Sequence, residues 1–120
     1  MNKTITFYDI KHVRHEIDEI DEKIVSLINE RARLAILIGK EKHVQKMSVY
    51  DKSREQYILE RVKKLNKEYK ATAGESSVVQ IIKLVIRVCR RAEKKYMAVI
   101  KKREERESEK EYKTKMAKPS

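Results

Sequence analysis

The sequence has very few of the residues that interrupt helices or cross-link chains. Among 120 residues there are two Gly, one Pro, one Cys, one Phe and no Trp. A single cysteine excludes an intramolecular disulfide and a metal site built from several cysteines, and it fits a reducing cytoplasm. No apolar run reaches the roughly 18 residues of a membrane span, and no signal-peptide core opens the chain. We therefore expect a cytoplasmic protein with no membrane span and no cysteine-cluster metal site.

Charged and apolar residues dominate instead, at 41% and 40% of the chain, and the formal net charge is +11. Long runs with periodic apolar residues and almost no breakers predict an all-α chain. At this length we expect one domain with a modest core. The positive charge favours anionic partners, but it does not distinguish nucleic acid from small acids.

The first predicted helix is unusually long. It begins after Thr6 or Asp9, either of which can cap it, and continues to about residue 44. One small monomer is not expected to bury the whole apolar face of a helix of more than about thirty residues. A second chain would cover that face, so we expect a dimer or a higher oligomer. The apolar residues on this face are Val13, Ile17, Ile20, Ile24, Ile28, Ala35 and Ile38.

Two more helices follow a break at 43–48 that contains neither Gly nor Pro. The second is expected over residues 49–69, with Gly74 near its C-cap, and the third from about Ser77, with Ser77 and Gln80 as a capping box. Apolar periodicity ends after residue 100, so we expect a helical domain over 1–100 and a charged extension over 101–120, helical and then disordered. The predicted core positions are Ile58, Val62, Leu65 and Tyr69, then Val78, Ile82, Val85, Cys89, Tyr96 and Ile100.

Charged residues interrupt these apolar faces. Arg31 and Lys42 lie near the middle of the first one, and burying a charge costs several kcal/mol unless an opposite charge meets it. One explanation is that both side chains reach solvent or pair with carboxylates of a neighbouring helix. The other is that they bind an anionic ligand. The first helix alone does not distinguish the two.

The other helices repeat this feature. Taken singly, each residue is better explained as solvated or locally paired: Arg14 with Asp18, Arg54 with Asp51, and Glu93 with Arg90. Taken as a set they predict a pocket for a small polyanion, most simply a dicarboxylate. The charged members of the set are Arg14, Arg31, Lys42, Asp51, Arg54, Glu55 and Glu93.

Four segments resemble the all-helical class of chorismate mutases. They are R-x-E-I-D-x-I-D at 14–21, L-I-N-E-R-A-R-L-A at 27–35, I-G-K-x-K at 38–42 and V-Y-D-x-x-R-E-Q-x-I-L-x-R-V at 49–62. The resemblance covers roughly residues 10–97 and is weaker in the third helix. It implies an intertwined homodimer of three-helix chains with shared active sites. It also implies rearrangement of chorismate to prephenate in phenylalanine and tyrosine biosynthesis, with no cofactor or metal.

The resemblance also implies roles for individual residues. Arg14 of a partner chain and Arg31 would hold the enolpyruvyl carboxylate of the substrate. Lys42 and Glu93 would face its ether oxygen. The remaining residues would hold the ring: Arg54 and Cys89 its carboxylate, and Asp51 (through its backbone) and Glu55 its hydroxyl.

Two of these positions depart from the common pattern, since Cys89 stands where the family often has Ser and Glu93 where many members have Gln. A Cys is a weaker hydrogen-bond donor than a Ser. An ionised Glu would repel the negative charge that develops on the ether oxygen, whereas a protonated Glu donates to it. We therefore expect Glu93 to work protonated, with turnover that falls as pH rises.

Two alternatives remain at this stage. An isochorismate pyruvate-lyase uses the same scaffold and a similarly cationic site, which sequence separates poorly from a mutase. A non-enzymatic basic module that binds nucleic acid or a partner helix fits the net charge. It is disfavoured because several cations lie on core faces and no nucleic-acid motif is present.

Overall fold

The computed structural model describes residues 9–48, 50–70 and 72–117. They form three helices, α1 (Ile10–Val44), α2 (Lys52–Glu68) and α3 (Glu75–Met116), and no strand occurs in these ranges. The predicted all-α class with a very long first helix is confirmed. None of these helices is long and apolar enough to cross a membrane.

Helix α1 is capped by a side chain at its start and by backbone hydrogen bonds at its end. The Asp9 carboxylate accepts a hydrogen bond from the Lys11 N–H at 3.2 Å, so Asp9 is the cap, and Thr6 lies outside the described residues. At the other end Lys46 takes a left-handed conformation, with φ of 57°. The Met47 N–H then donates to the Lys42 carbonyl at 2.7 Å and the Lys46 N–H to the His43 carbonyl at 3.1 Å. These two hydrogen bonds end the helix without Gly or Pro, as the sequence predicts.

Helix α2 begins three residues later than expected. Asp51 is its N-cap, with Oδ1 accepting the Arg54 N–H at 3.0 Å, so the helix starts at Lys52 rather than at residue 49. Val49 itself lies outside the described residues. A carboxylate that satisfies a free backbone N–H at the helix start outweighs the helical periodicity of the residues before it.

Helix α3 begins earlier than expected and continues further than its core. Gly74, with φ of 83°, is the N-cap residue of α3 and not a C-cap of α2. The predicted capping box at Ser77 is wrong, because Ser77 already lies inside α3; Gln80 donates to Ser76 Oγ instead, at 3.3 Å. The helix runs through Ile100 to Met116 without a break.

The chain forms two compact units, Met1–Arg31 and Ala32–Ser120. In the second unit α2 packs against α3. The predicted core positions of α3 are all buried or half-buried, as are those of α2 except Tyr69, which is 78% exposed because it lies beyond the last residue of the helix. In the first unit Ile17, Ile20 and Ile24 each keep about half of their surface exposed.

Candidate active site

The carboxyl group of Glu93 is the most enclosed charged group among the described residues. Glu93 lies one turn after Cys89 on α3, and their exposures are 7% and 2%. Its Oε1 is shielded from solvent and makes no hydrogen bond within the described part of the chain. A polar atom in this state is costly unless it meets a ligand or carries a proton.

Gly39 of α1 allows this burial. Glu93 lies so close to the Gly39 backbone that a Cβ atom there would be 2.5 Å from Glu93 Cγ and 2.8 Å from Oε1. Any side chain at position 39 would therefore displace the carboxyl group. Gly39 is itself buried, although glycine inside a helix costs about 1 kcal/mol relative to alanine. The sequence marks Gly39 only as part of the I-G-K-x-K motif.

Burial raises the pKa of Glu93, and the positive charges of Lys42 and Arg90 oppose that rise without cancelling it. Lys42 lies three residues after Gly39, on the same side of α1, which brings its charge towards Glu93. The structure thus brings together Lys42 and Glu93, two of the site residues that the sequence predicts. The direction of the pKa shift agrees with a Glu93 that holds its proton more tightly than a free carboxyl group does.

Arg90 forms a second cluster beside Glu93, and it is not among the site residues that the sequence predicts. Its guanidinium makes an ion pair with Glu55 of α2, in which both side chains are more than two-thirds buried, at 26% and 29% exposure. The same guanidinium lies 4.8 Å from the centre of the Tyr50 ring. The expected local pairing of Glu93 with Arg90 is thus replaced by an ion pair between helices.

The side chains of Asp51 and Arg54 make contacts within α2 and its N-cap, whereas Glu55 pairs with α3. The Asp51 side chain is occupied in capping α2. The Arg54 guanidinium lies 5.0 Å from the centre of the Tyr57 ring on its own helix, and the residue is exposed. The expected side-chain pairing of Arg54 with Asp51 is a backbone contact instead, because the carboxylate accepts the Arg54 N–H.

Arg14 and Arg31 belong to the first unit of the chain. Arg14 is exposed and lines an open depression with Asp9 and Asp18, while Arg31 is half-buried. Their roles in a site stay predictions.

Two further contacts join the end of α1 to α3. Lys40 Nζ lies 4.9 Å from the centre of the Tyr96 ring. His43 Nε2 lies 3.1 Å from Glu104 Oε1, four residues beyond the last predicted core position of α3. The turn of α1 that carries Lys42 is therefore held against α3 from both sides of Lys42.

The arrangement of a buried carboxyl group, a lysine and a carboxylate–arginine pair on three helices agrees with the family indicated by the motifs. Residues 13–94 match the family described as chorismate mutase type II. The match covers more than half of the chain, so the chain belongs to the type II chorismate mutase family. The residue cluster from Gly39 to Glu93 lies inside the matched segment.

Two relatives show the same similarity. The chain is 40% identical over 88 residues to a bifunctional chorismate mutase/prephenate dehydratase of Aquifex aeolicus, an alignment that covers 72% of this chain but only 24% of the relative. It is 34% identical over 88 residues to a chorismate mutase of Methanocaldococcus jannaschii, covering 73% of this chain and 87% of the relative. The predicted assignment to the chorismate mutases, and with it the isomerase class, is confirmed. These similarities favour neither an isochorismate pyruvate-lyase nor a module that binds nucleic acid or a partner helix.

Proposed function

We propose that this chain rearranges chorismate to prephenate, a step towards phenylalanine and tyrosine. The observation that carries this proposal is the buried Glu93 carboxyl group, packed on Gly39 and facing the charge of Lys42. Family membership supplies the reaction, and this cluster supplies groups suited to it.

The reaction needs no nucleophile and no general base. It is a unimolecular [3,3] rearrangement in which one C–O bond breaks while one C–C bond forms. An enzyme accelerates it by holding the flexible dianion in a compact chair and by stabilising the negative charge that grows on the ether oxygen. Lys42 donates to that oxygen with a full positive charge. Protonated Glu93 donates to the same oxygen, and the raised pKa of Glu93 favours the proton that this requires.

The other predicted site residues bind the substrate in this proposal. Arg31 and the Arg14 of a second chain hold the enolpyruvyl carboxylate. Arg54 holds the ring carboxylate beside Cys89, and the ring hydroxyl meets Glu55 and the backbone of Asp51. These roles rest on the match of each residue to the family motifs, and the inward position of Glu55 supports its role most directly.

We also propose that the enzyme is a homodimer with shared active sites, acting in the cytoplasm, with residues 1–100 as the catalytic domain and 101–120 as an extension. Support for the dimer comes from α1, where Ile17, Ile20 and Ile24 are about half exposed in the single chain and Leu27 is 61% exposed. Burying such side chains stabilises association by about 25 cal/mol per Å² of apolar surface. Sedimentation of the purified chain should return the mass of two chains, and a monomer at micromolar concentration would contradict the proposal.

An assay with identified products tests the activity. Purified protein is supplied separately with chorismate and with isochorismate, and the products are separated by chromatography. We expect prephenate from chorismate and no salicylate or pyruvate from isochorismate. Lys42→Ala should lower kcat by about 100-fold or more, the loss typical of one donor to a developing oxyanion.

Lys40→Ala is the matched control, since Lys40 lies on the same turn of α1 but contacts the Tyr96 ring. It should keep activity within a few-fold of the parent. Equal losses in the two variants would show that the turn as a whole, and not the Lys42 ammonium group itself, matters. Full activity of Lys42→Ala would refute its catalytic role.

A further inference from the structure

We propose that Arg90 is a positioning residue that orients Glu55 and thereby sets the recognition of the substrate's ring hydroxyl. This inference rests on the proposed function, because it assigns a role within the same site. Arg90 has no role in the family pattern described above.

The contacts of Arg90 join three parts of the second unit. Arg90 itself lies on α3, its ion-pair partner Glu55 lies in the first turn of α2, and Tyr50 lies in the segment that leads into α2. A planar guanidinium can stack on a ring while its edge meets a carboxylate, which an ammonium group cannot reproduce. Arg90 therefore fixes the start of α2 against α3 in one orientation.

The ion pair leaves a defined side of the Glu55 carboxylate for the substrate. Oε2 is shielded from solvent and is the oxygen that meets Arg90. A carboxylate has lone pairs on both oxygens, so Oε1 is the oxygen left to accept a hydrogen bond from the hydroxyl. A hydrogen bond to a carboxylate is stronger than one to a neutral acceptor.

This arrangement bears on specificity, because chorismate and isochorismate differ in where the ring carries its hydroxyl. A carboxylate held in one orientation accepts a hydrogen bond only from a hydroxyl at one position of the ring. If Arg90 were absent, Glu55 would turn towards solvent and the hydroxyl would lose its partner. The effect of Arg90 should thus depend on the presence of the hydroxyl.

The experiment compares two substrates, chorismate and an analogue that lacks the ring hydroxyl, with the whole 120-residue chain. In the parent enzyme we expect kcat/KM for chorismate to exceed that for the analogue by about 10- to 100-fold, the range for a hydrogen bond to a charged group. Arg90→Leu should bring this ratio close to one. Its effect should fall mainly on chorismate, as a rise in KM with a smaller change in kcat. Arg90→Lys, which keeps the charge but not the planar group, should restore only part of the ratio.

The matched control is Arg91→Leu, which removes the same charge from the exposed neighbouring position on α3 and should leave the ratio unchanged. Equal loss of activity on both substrates in Arg90→Leu, or an unchanged ratio, would overturn the proposal. If Arg90→Leu does not fold, Arg90→Lys decides by the same ratio. A parent enzyme that does not convert chorismate refutes the proposed function, whereas a parent enzyme that converts both substrates equally refutes only the role of Arg90.

A pH profile gives a second readout. The charged groups that face Glu93 are Lys42 from α1 and Arg90 from α3, and the α2 carboxylate of Glu55 is the one bound to Arg90. Because Arg90 opposes protonation of Glu93, Arg90→Leu should move the fall in activity to higher pH. This midpoint reports the charge of Arg90 beside Glu93, whereas the ratio of the two substrates reports the orientation of Glu55.

Discussion

Replacing Glu93 with Gln tests whether the buried carboxyl group works as a proton-bearing donor. The change substitutes an amide for a carboxyl group of nearly the same shape, so the packing against Gly39 is kept. An amide N–H donates at every pH, whereas a carboxyl group donates only while it is protonated. The variant therefore separates the shape of the side chain from its charge.

The sign of the expected pH dependence follows from the raised pKa of Glu93. The protonated form is the active one, so kcat/KM of the parent enzyme is highest below that pKa and falls tenfold for each pH unit above it. The fall ends when the donor is fully lost, at about 100- to 1000-fold below the plateau, the loss measured for single oxyanion donors. The Glu93→Gln profile should instead be flat. Chorismate consumption followed by absorbance across the pH range is the assay.

Thermal or urea unfolding gives an independent check on the same variant. A carboxyl group whose folded-state pKa is raised stabilises the fold fully below its unfolded pKa of 4.5, and that contribution is lost as pH rises through the folded pKa. Glu93→Gln should thus be more stable than the parent at neutral pH, by about 1.4 kcal/mol for each pKa unit of the shift, with the difference vanishing near pH 4.

Glu107→Gln is the control for both measurements, because Glu107 is exposed on α3. It should change neither profile. A parent enzyme whose rate is level with pH through the neutral range would refute the reasoning. So would a Glu93→Gln variant that keeps the fall of the parent enzyme.

Two further predictions concern the residues that hold the site in place. Gly39→Ala should destabilise the parent, because the new Cβ would lie 2.5 Å from Glu93 Cγ. In the Glu93→Ala background the same change should stabilise the fold by about 1 kcal/mol through helix propensity. Unfolding of the parent, the two single variants and the double variant measures this reversal, and destabilisation in both backgrounds would contradict it. Asp51→Ala should cost about 1 kcal/mol of stability through loss of the α2 cap, while kcat/KM changes by only a few-fold because the backbone of Asp51 remains. Asp51→Asn should keep the cap. A large loss of kcat in Asp51→Asn would show that the carboxylate itself is needed.

The periodicity of the sequence predicts the helices well because the apolar spacing is nearly continuous. The long α1, its end near residue 44 and the inward face of α3 all follow from that spacing. The errors lie at the helix starts, where single capping interactions decide. Asp51 satisfies the free Arg54 N–H and moves the start of α2 by three residues, which a helical wheel does not register.

The site is less predictable than the helices, because it depends on which side chains meet between helices. Spacing places Lys42, Glu55 and Glu93 on inward faces, and the structure agrees in burial for all three. Residue spacing does not give the rotation of α2 against α3, so the ion pair of Glu55 with Arg90 cannot be predicted from the sequence. The close approach of Gly39 to Glu93 is missed for the same reason, since a glycine inside a helix carries no record of the neighbour that requires it.

Gly39, Arg90 and Lys42 together determine the ionisation of Glu93 in this chain. Gly39 lets the carboxyl group lie against α1, and the resulting desolvation raises its pKa, while the two cations lower it. A Gln at position 93 would need none of this balance, whereas a Glu is useful as a donor only if desolvation prevails. Arg90→Leu removes one opposing charge, so the fall in activity should move to higher pH, while Glu93→Gln should abolish the fall. A shift in the first variant with no fall in the second would show that one proton, on Glu93, governs the rate. If the fall in activity stays at the same pH in both variants, the titrating group is not Glu93.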